Sequence, residues 1–253
     1  IPPQSLDVAV AQTQGSMGYM LANQLRNRFN EEQLEKEIAA VLTEVVVDRE
    51  DPAFENPTKP VGPYFTAYRA NLLMQELGWQ MVEDAGRGWR KVVASPMPTR
   101  IIGSQLLKRL VANGAVLVAG GGGGIPVYQD VGGYFRGVEA VIDKDYVASI
   151  LARELEADLF IVLTQVPMVA EHFGRPNQRW LRRLPLRHAK ELQAAHQFPP
   201  GSMGPQIQAA MQFVEATGQE VLITDEDSLK RALEGRAGTF LVPEGEIEYA
   251  SLS

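Results

Sequence analysis

The sequence predicts an α/β fold, a three-layer αβα sandwich with a mainly parallel central sheet and a small protruding lid subdomain. Residues 159–164 and 220–224 are apolar strand segments separated by a predicted helix, a pattern typical of a parallel sheet covered on both faces. Six prolines between residues 51 and 98 interrupt the alternation of helices and strands and predict an inserted excursion. A chain of 253 residues can hold one large α/β domain with such an insertion.

The first elements follow from local patterns. Apolar residues at three- and four-residue spacing predict a helix over residues 7–29, beginning near Leu6. Residues 38–47 are dense in valine and predict one strand. Within the insertion, residues 66–77 predict a helix and residues 90–94 predict a strand.

Regular alternation resumes after the insertion. Residues 101–113 predict a helix that Gly114 ends, and residues 115–119 predict a strand that runs directly into a glycine run. Residues 144–156 and 205–217 predict two further helices, each followed by one of the apolar strands.

The net charge and the hydropathy of the chain argue against two classes of partner, nucleic acids and membranes. The formal net charge is −7, with 24 basic and 31 acidic side chains, which argues against a nucleic-acid groove. No segment approaches the roughly 18 consecutive apolar residues of a membrane span, and no export signal is recognisable. We therefore expect neither nucleic acid nor a membrane as a partner, and a cytoplasmic location.

Cysteine and histidine usage excludes several chemistries. The chain has no cysteine, so a disulfide, a thiolate metal site and a cysteine nucleophile are impossible. Its three histidines, His172, His188 and His196, do not have the spacing of metal ligands. We expect no metal site built from protein side chains.

The glycine run Gly120-Gly121-Gly122-Gly123-Gly124 directly follows a predicted buried strand. Without side chains, backbone amides can approach an anion and form a concave nest for phosphate. The run does not match the phosphate-binding or dinucleotide-binding glycine patterns, because Ile125, Pro126 and Val127 follow it. A flexible turn explains the glycines equally well, and both interpretations stay open at this point.

Asp143-Lys144-Asp145 stands at the start of a predicted helix. Carboxylates at that position cap backbone amides and favour the positive end of the helix dipole. A lysine between two carboxylates is also suited to hold a phosphoryl group that is being transferred. Spacing alone favours capping slightly.

Two other segments are candidates for contact with an anion. Ser202 and Met203 precede a predicted helix, where amides or the Ser202 hydroxyl can meet an anion, although simple capping by Ser202 is the favoured interpretation. Lys59 has proline on both sides in the segment 57–63, which predicts a lysine held out rigidly by a restricted backbone.

These segments, in this order, resemble the carbamate kinase family, within the amino acid kinase fold. The resemblance covers nearly the whole chain and rests on several ordered motifs, which are much more specific together than any one alone. The motifs are residues 14–20, 47–54, 57–60, 83–93, the glycine run, 139–145, 172–178 and 198–205.

The resemblance implies reversible phosphoryl transfer between carbamoyl phosphate and ADP, giving ATP and carbamate, with Mg²⁺ assisting, in a homodimer. It implies that Lys144 contacts the phosphoryl group, that Asp145 orients its charged neighbours, and that Lys59, on the lid, reaches the carbamoyl substrate. It also implies that Gly121, Gly122, Gly123 and Gly124 line the nucleotide phosphates, with Ser202, Met203 and Gln206 also at the nucleotide. Residues 1–253 then form one amino acid kinase-like domain, with residues 51–98 as its lid.

The chain departs from the family pattern in two places. It begins at Ile1, downstream of the family's Gly-Gly-Asn-Ala turn and His-Gly-Asn-Gly-Pro loop, so we expect a processed or truncated start. The family carries a lysine where this chain has Gln206, which brings no charge to the phosphoryl oxygens. These departures motivate an alternative hypothesis, a catalytically silent relative that binds nucleotide or carbamoyl phosphate in a regulatory or assembly role.

Overall fold

The structure, a computed structural model, describes residues 4–84, 86–199 and 201–250. It divides into two compact units, Ile1–Val147 and Ala148–Ser253, called the first and the second unit below. Helices and strands alternate in both units, so the predicted α/β class is confirmed. The expected processed start at Ile1 lies outside the described residues. No helix in the described ranges is long and apolar enough to cross a membrane.

The first unit contains most of the predicted elements and several short strands that the sequence patterns missed. In chain order they are α1 (Leu6–Glu31), β1 (Ile38–Ala40), β2 (Glu44–Val47), β3 (Lys59–Phe65), α2 (Ala67–Leu77), β4 (Met81–Glu83), β5 (Trp89–Val93), β6 (Pro98–Ile101), α3 (Ser104–Ala112), β7 (Val116–Val118), β8 (Ile125–Gln129), β9 (Phe135–Gly137) and the start of α4 (Lys144–Glu154).

A break in one predicted strand shapes the first unit. Residues 38–47 form two strands, β1 and β2, separated by residues 41–43. The prediction of one continuous strand is wrong, because the N–H of Thr43 donates to the side chain of Gln14 on α1 instead of to a neighbouring strand. β1 pairs in parallel with β7, and β2 pairs in parallel with β8. Since the glycine run joins β7 to β8, the break lies opposite that run.

The sheets are mixed. In the first unit β2 pairs in parallel with β8, while β6 and β9 pair antiparallel at either edge. The central strand β2 carries Val45, Val46 and Val47, all buried, which explains its valine-rich sequence.

The predicted insertion contains a sheet of its own, in the order β3–β5–β4, with α2 packed nearby. Thr66 caps α2 by accepting a hydrogen bond from the N–H of Arg69, and Gly78 ends the helix in the left-handed conformation. Ala70, Leu73 and Met81 form a small separate core. The assignment of residues 51–98 as a lid subdomain stays a prediction.

The second unit is built around a larger core. Its elements are β10 (Phe160–Leu163), β11 (Val169–Glu171), β12 (Arg179–Pro185), α5 (Leu186–Ala194), α6 (Met203–Thr217), β13 (Val221–Thr224), α7 (Leu229–Leu233), β14 (Thr239–Val242) and β15 (Glu248–Ala250). The strand order is β10–β13–β14–β12–β11, with β15 also paired to β12, and both parallel and antiparallel ladders occur.

Helix α6 is the central helix of this core. Ile207, Ala210, Phe213 and Val214 on it are buried, because the sequence places small and large apolar residues at helical spacing. The Phe213 ring meets Phe160 of β10 edge to face, with ring centroids 5.4 Å apart. The C-terminal half of α6 therefore packs against the start of β10.

Candidate functional site

The glycine run folds as a single 3₁₀ turn, Gly121–Gly123. Four of its five glycines, all except Gly121, have positive φ, a region that other residues rarely adopt. The N–H groups of Gly121 and Gly122, at the start of the turn, have no acceptor within it. Both residues are exposed.

The turn is packed closely against two other segments. A Cβ atom at Gly123 would lie 2.0 Å from the carbonyl oxygen of Ile142, and one at Gly124 would lie 2.1 Å from Cγ2 of Val45. Side chains are therefore excluded at both positions by backbone and core contacts as well as by φ. The structure thus brings the glycine run against Ile142, directly before Asp143-Lys144-Asp145.

Two buried polar side chains that the sequence analysis did not select also hold the turn. Gln14 donates from Nε2 to the carbonyl oxygen of Gly121 at 2.9 Å, and its Oε1 accepts from the N–H of Thr43 at 2.8 Å. The Thr43 hydroxyl accepts from the N–H of Gly120 at 2.9 Å and donates to Val41 O at 3.0 Å. In the sequence, Gln14 was only the first residue of a family motif, and Thr43 lay inside a predicted strand.

Lys59, Asp143, Lys144 and Asp145 form a charged cluster at the start of α4. Lys59 Nζ lies 2.9 Å from Asp143 Oδ2, and Lys144 Nζ lies 2.9 Å from Asp145 Oδ1. Asp143 Oδ1 also accepts from the N–H of Asp145 at 3.0 Å, as an N-cap residue does, so the capping interpretation is confirmed for Asp143. The Lys144 side chain is 66% exposed and Asp145 only 12%.

Strand pairing places Lys59 in this cluster. Lys59 begins β3 and pairs with Val93, the last residue of β5. The next residue, Ala94, forms a parallel bridge with Ala140, three residues before Asp143. Lys59 is consequently at one end of the β3–β5–β4 sheet and ion-paired. The prediction of a lysine held out rigidly is wrong in that the Lys59 ammonium group is bound to Asp143.

The two carboxylates of the cluster have opposite pKa shifts. For Asp143, burial raises the pKa, but the hydrogen bonds from Lys59 and from the N–H of Asp145 outweigh it, so the pKa lies below the ordinary value of 3.8. For Asp145, burial outweighs the hydrogen bond from Lys144, and the pKa lies above 3.8. Asp143 is thus fixed as a carboxylate, and Asp145 is the more easily protonated.

The second unit contains an apolar cavity of about 280 Å³. It lies beyond the carboxyl end of β10, where Thr164, Gln165 and Val166 line it, and at the start of α6, where Ser202 and Met203 line it. The crevice outside the carboxyl ends of strands is the usual ligand position in α/β folds. Two of the three predicted residues of this unit thus share one cavity.

Ser202 and Gln206 differ from their sequence predictions in detail. Ser202 stands directly before α6, but its hydroxyl makes no capping hydrogen bond. The capping interpretation is wrong, since φ −144° and ψ −91° are not the extended angles of an N-cap residue. Gln206, in the first turns of α6, has a buried Oε1 without a hydrogen-bond partner among the described residues.

Known proteins resemble the chain over almost all of its length. The amino acid kinase family matches residues 8–225. A carbamate kinase of Thermococcus kodakarensis is 44% identical over 244 residues, which are 96% of this chain and 77% of that protein. The chain belongs to the carbamate kinase family.

Two further relatives of this carbamate kinase family member are a carbamate kinase-like protein and a solved carbamate kinase. The carbamate kinase-like protein YahI of Escherichia coli is 43% identical, with 96% of this chain and 77% of that protein covered. The solved carbamate kinase of Giardia lamblia bound to AMP-PNP is 37% identical with a TM-score of 0.88, and the match covers 96% of this chain and 77% of that one. The resemblance read from the ordered motifs is therefore confirmed.

Replacing Gly123 with alanine tests the close approach of the turn to Ile142. We expect Gly123→Ala to lower the free energy of unfolding by about 1–3 kcal/mol more than Gly78→Ala, because it adds overpacking to the cost of a Cβ at positive φ. Gly78 is the matched control, since it has φ 64° with open space around the added Cβ. Urea unfolding of both variants measures the difference, and equal stabilities would show that the turn can move away from Ile142.

The cluster also predicts a pH signature. Because the folded pKa of Asp143 is lowered, its contribution to stability is present above about pH 4 and is lost as the pH falls through the folded value. We expect the stability advantage of the wild type over Asp143→Asn to shrink on acidification.

Asp145 has a raised folded pKa, so relative to Asp145→Asn the wild type loses stability as the pH rises through that value. Urea unfolding across acidic pH checks both signs, and parallel profiles would contradict them.

Proposed function

We propose that the protein is a carbamate kinase-like phosphotransferase that reversibly transfers a phosphoryl group between carbamoyl phosphate and ADP, giving ATP and carbamate. The observation that carries the proposal is the packing of the glycine turn against the start of the charged cluster at Lys59, Asp143, Lys144 and Asp145. The turn therefore neighbours the start of α4, which carries Lys144 and binds Lys59 through Asp143. Backbone amides combined with lysines are what phosphoryl transfer requires.

Lys144 is the residue we assign to the transferred phosphoryl group. Its ammonium group is exposed and is paired with a largely buried carboxylate, Asp145, so a phosphoryl oxygen can reach it from solvent. Asp145 limits where the ammonium group can go and so orients it. In a transition state with charge spread over the phosphoryl oxygens, a positioned cation stabilises the developing charge.

Lys59 is the residue we assign to the carbamoyl substrate. The Asp143 carboxylate holds Lys59 Nζ at 2.9 Å, and the Lys59 side chain is 36% exposed. Asp143 stays ionised because its pKa is lowered, so this ion pair persists at neutral pH. The pair fixes one end of β3 to the start of α4, and a substrate oxygen then meets a lysine that is already oriented.

The glycine turn is the proposed site of the nucleotide phosphates. Gly121 and Gly122 present amides that have no acceptor within the turn, and successive amides in such a turn form an anion-binding concavity. The second unit, taken by itself, has a mostly apolar cavity beside Ser202 and Met203 that suits a small ligand with an apolar face. The relative from Giardia lamblia is bound to AMP-PNP, which supports an adenine nucleotide as the ligand.

Mg²⁺ fits this site as part of the nucleotide complex. The described residues contain no group of three carboxylates or histidines that could form a metal site. Mg²⁺ in kinases keeps several waters and is bound by substrate phosphates with one or two carboxylates, for which Asp143 and Asp145 are the nearest candidates. When bound, it would neutralise charge on the phosphate oxygens.

The proposal includes two properties of the whole protein, a homodimer and a cytoplasmic location. The resemblance to the carbamate kinase family motivates the homodimer, and a cysteine-free sequence suits a reducing compartment such as the cytoplasm.

A second candidate function is favoured by Gln206. The amide stands where the family pattern has a lysine, and its buried Oε1 lacks a partner among the described residues. A neutral amide forms weaker hydrogen bonds to phosphate than a charged ammonium group does. On this hypothesis the protein is a catalytically silent relative that binds nucleotide or carbamoyl phosphate for regulation or assembly.

Removing Lys144 tests the kinase proposal directly. We expect Lys144→Ala to reduce kcat for ATP formation from carbamoyl phosphate and ADP by about 100- to 1,000-fold, because a preorganised charge at the transition state is lost. Lys230→Ala, an exposed lysine on α7, is the control and should keep wild-type activity. Absence of turnover in the wild type, with Lys144→Ala indistinguishable from it, would refute the proposal.

Restoring the family lysine separates the two candidate functions. If the protein is a working kinase, the wild type turns over at enzyme rates and Gln206→Lys changes kcat by less than about tenfold, since one charge-assisted bond replaces a neutral one. A gain well beyond that from an almost inactive wild type would favour the silent relative. Gln206→Met has a side chain of similar length without a charge or an amide. If Gln206→Lys raises kcat and Gln206→Met does not, the gain comes from the charge.

A further inference from the structure

The glycine turn depends on two side chains outside it. Glycine has no conformational preference strong enough to fix the four positive φ angles of the run by itself. The contacts that fix the turn come from α1 and from the break between β1 and β2, through Gln14 and Thr43. Both side chains are buried, with 7% and 1% of their surface exposed.

The hydrogen bonds of this pair form a connected chain. The Gln14 side chain joins Gly121 O to the backbone N–H of Thr43, and it also lies 3.4 Å from Thr43 O. The Thr43 hydroxyl then joins the N–H of Gly120 to Val41 O. The turn is thus tied at the N–H of Gly120 and at the carbonyl of Gly121, which belong to the peptide units before Gly120 and after Gly121. The Gln14 and Thr43 side chains are buried and their bonds to Gly120 and Gly121 are partly buried, so losing a partner leaves a polar group poorly satisfied.

The tied groups determine where the exposed amides point. Each peptide unit is planar, so a hydrogen bond to one of its groups also orients the other. The bonds at the Gly120 N–H and the Gly121 carbonyl therefore orient the peptide unit before Gly120 and the peptide unit after Gly121. The N–H of Gly122 belongs to the same peptide unit as Gly121 O, so Gln14 holds that amide directed away from itself. The break at residues 41–43 is what brings Thr43 to this place.

We propose that Gln14 and Thr43 are positioning residues that hold the amides of the glycine turn in the orientation that binds nucleotide phosphate. This inference rests on the proposed function, because it assigns the nucleotide phosphates to that turn. Neither residue contacts the reacting atoms. Their effect is on nucleotide affinity, and the Lys59 and Lys144 pairs are made independently of them.

Thr43→Val and Thr43→Ser form the matched test. Valine keeps the shape but removes the hydroxyl that Gly120 needs, whereas serine keeps the hydroxyl and loses only a methyl group. We expect Thr43→Val to raise the KM for ADP about tenfold, as expected for one lost hydrogen bond, with the KM for carbamoyl phosphate unchanged. Thr43→Ser should restore the KM for ADP to near the wild-type value. Gln14→Met, which keeps length and burial, should repeat the effect of valine.

Amide hydrogen exchange gives a second readout that does not require turnover. The Gly120 amide should exchange faster in Thr43→Val than in the wild type and in Thr43→Ser, while residues 207–214 of α6 keep their protection. General destabilisation would change both regions. An unchanged KM for ADP in Thr43→Val and Gln14→Met, or equal impairment in Thr43→Ser, would overturn the proposal.

The two proposals fail in distinguishable ways. If the wild type neither forms ATP nor binds ADP in calorimetry, the proposed function is wrong, and the assignment of phosphate to the turn falls with it. Exchange at Gly120 then decides whether Thr43 holds the turn at all. If the wild type forms ATP but the variants match it in KM for ADP, only the positioning role is refuted.

Discussion

The glycine turn can lie against the backbone of Ile142 only because its residues lack Cβ atoms and adopt positive φ. That close approach determines where α4 begins relative to the turn, and therefore where Asp143, Lys144 and Asp145 stand. Three segments distant in sequence meet at the turn: α1 through Gln14, the strand break through Thr43, and the start of α4. The candidate phosphate site is a consequence of this packing.

Charge in the cluster is arranged in two pairs with different surroundings. Asp143 is a capping residue and an ion-pair partner at once, and these bonds lower its pKa despite burial. Asp145 has fewer compensating bonds, so burial raises its pKa. Lys59 is thereby fixed, while Lys144 stays exposed. A site for phosphoryl transfer needs groups held in fixed positions and an accessible cation. The Lys59–Asp143 pair supplies the first, and Lys144, paired with Asp145, supplies the second.

Gln206 shows how one residue separates family membership from activity. Its helix packs normally, with Ile207, Ala210 and Phe213 buried, so the amide does not disturb the fold. Its buried oxygen has no partner among the described residues, which is costly unless something else satisfies it. The relatives establish the fold and the family. Phosphoryl-transfer activity depends in addition on whether the neutral amide of Gln206 can replace the family's lysine.

The sequence by itself determined the α/β class, the main helices and the family, because apolar periodicity and ordered motifs are local features that survive without a structure. It also selected the glycine run and Asp143-Lys144-Asp145. Only the tertiary structure showed that Lys59 is paired with Asp143, that residues 38–47 are two strands, and that Gln14 and Thr43 hold the turn. These features depend on hydrogen bonds between residues 29 to 107 positions apart, and no local pattern encodes such contacts.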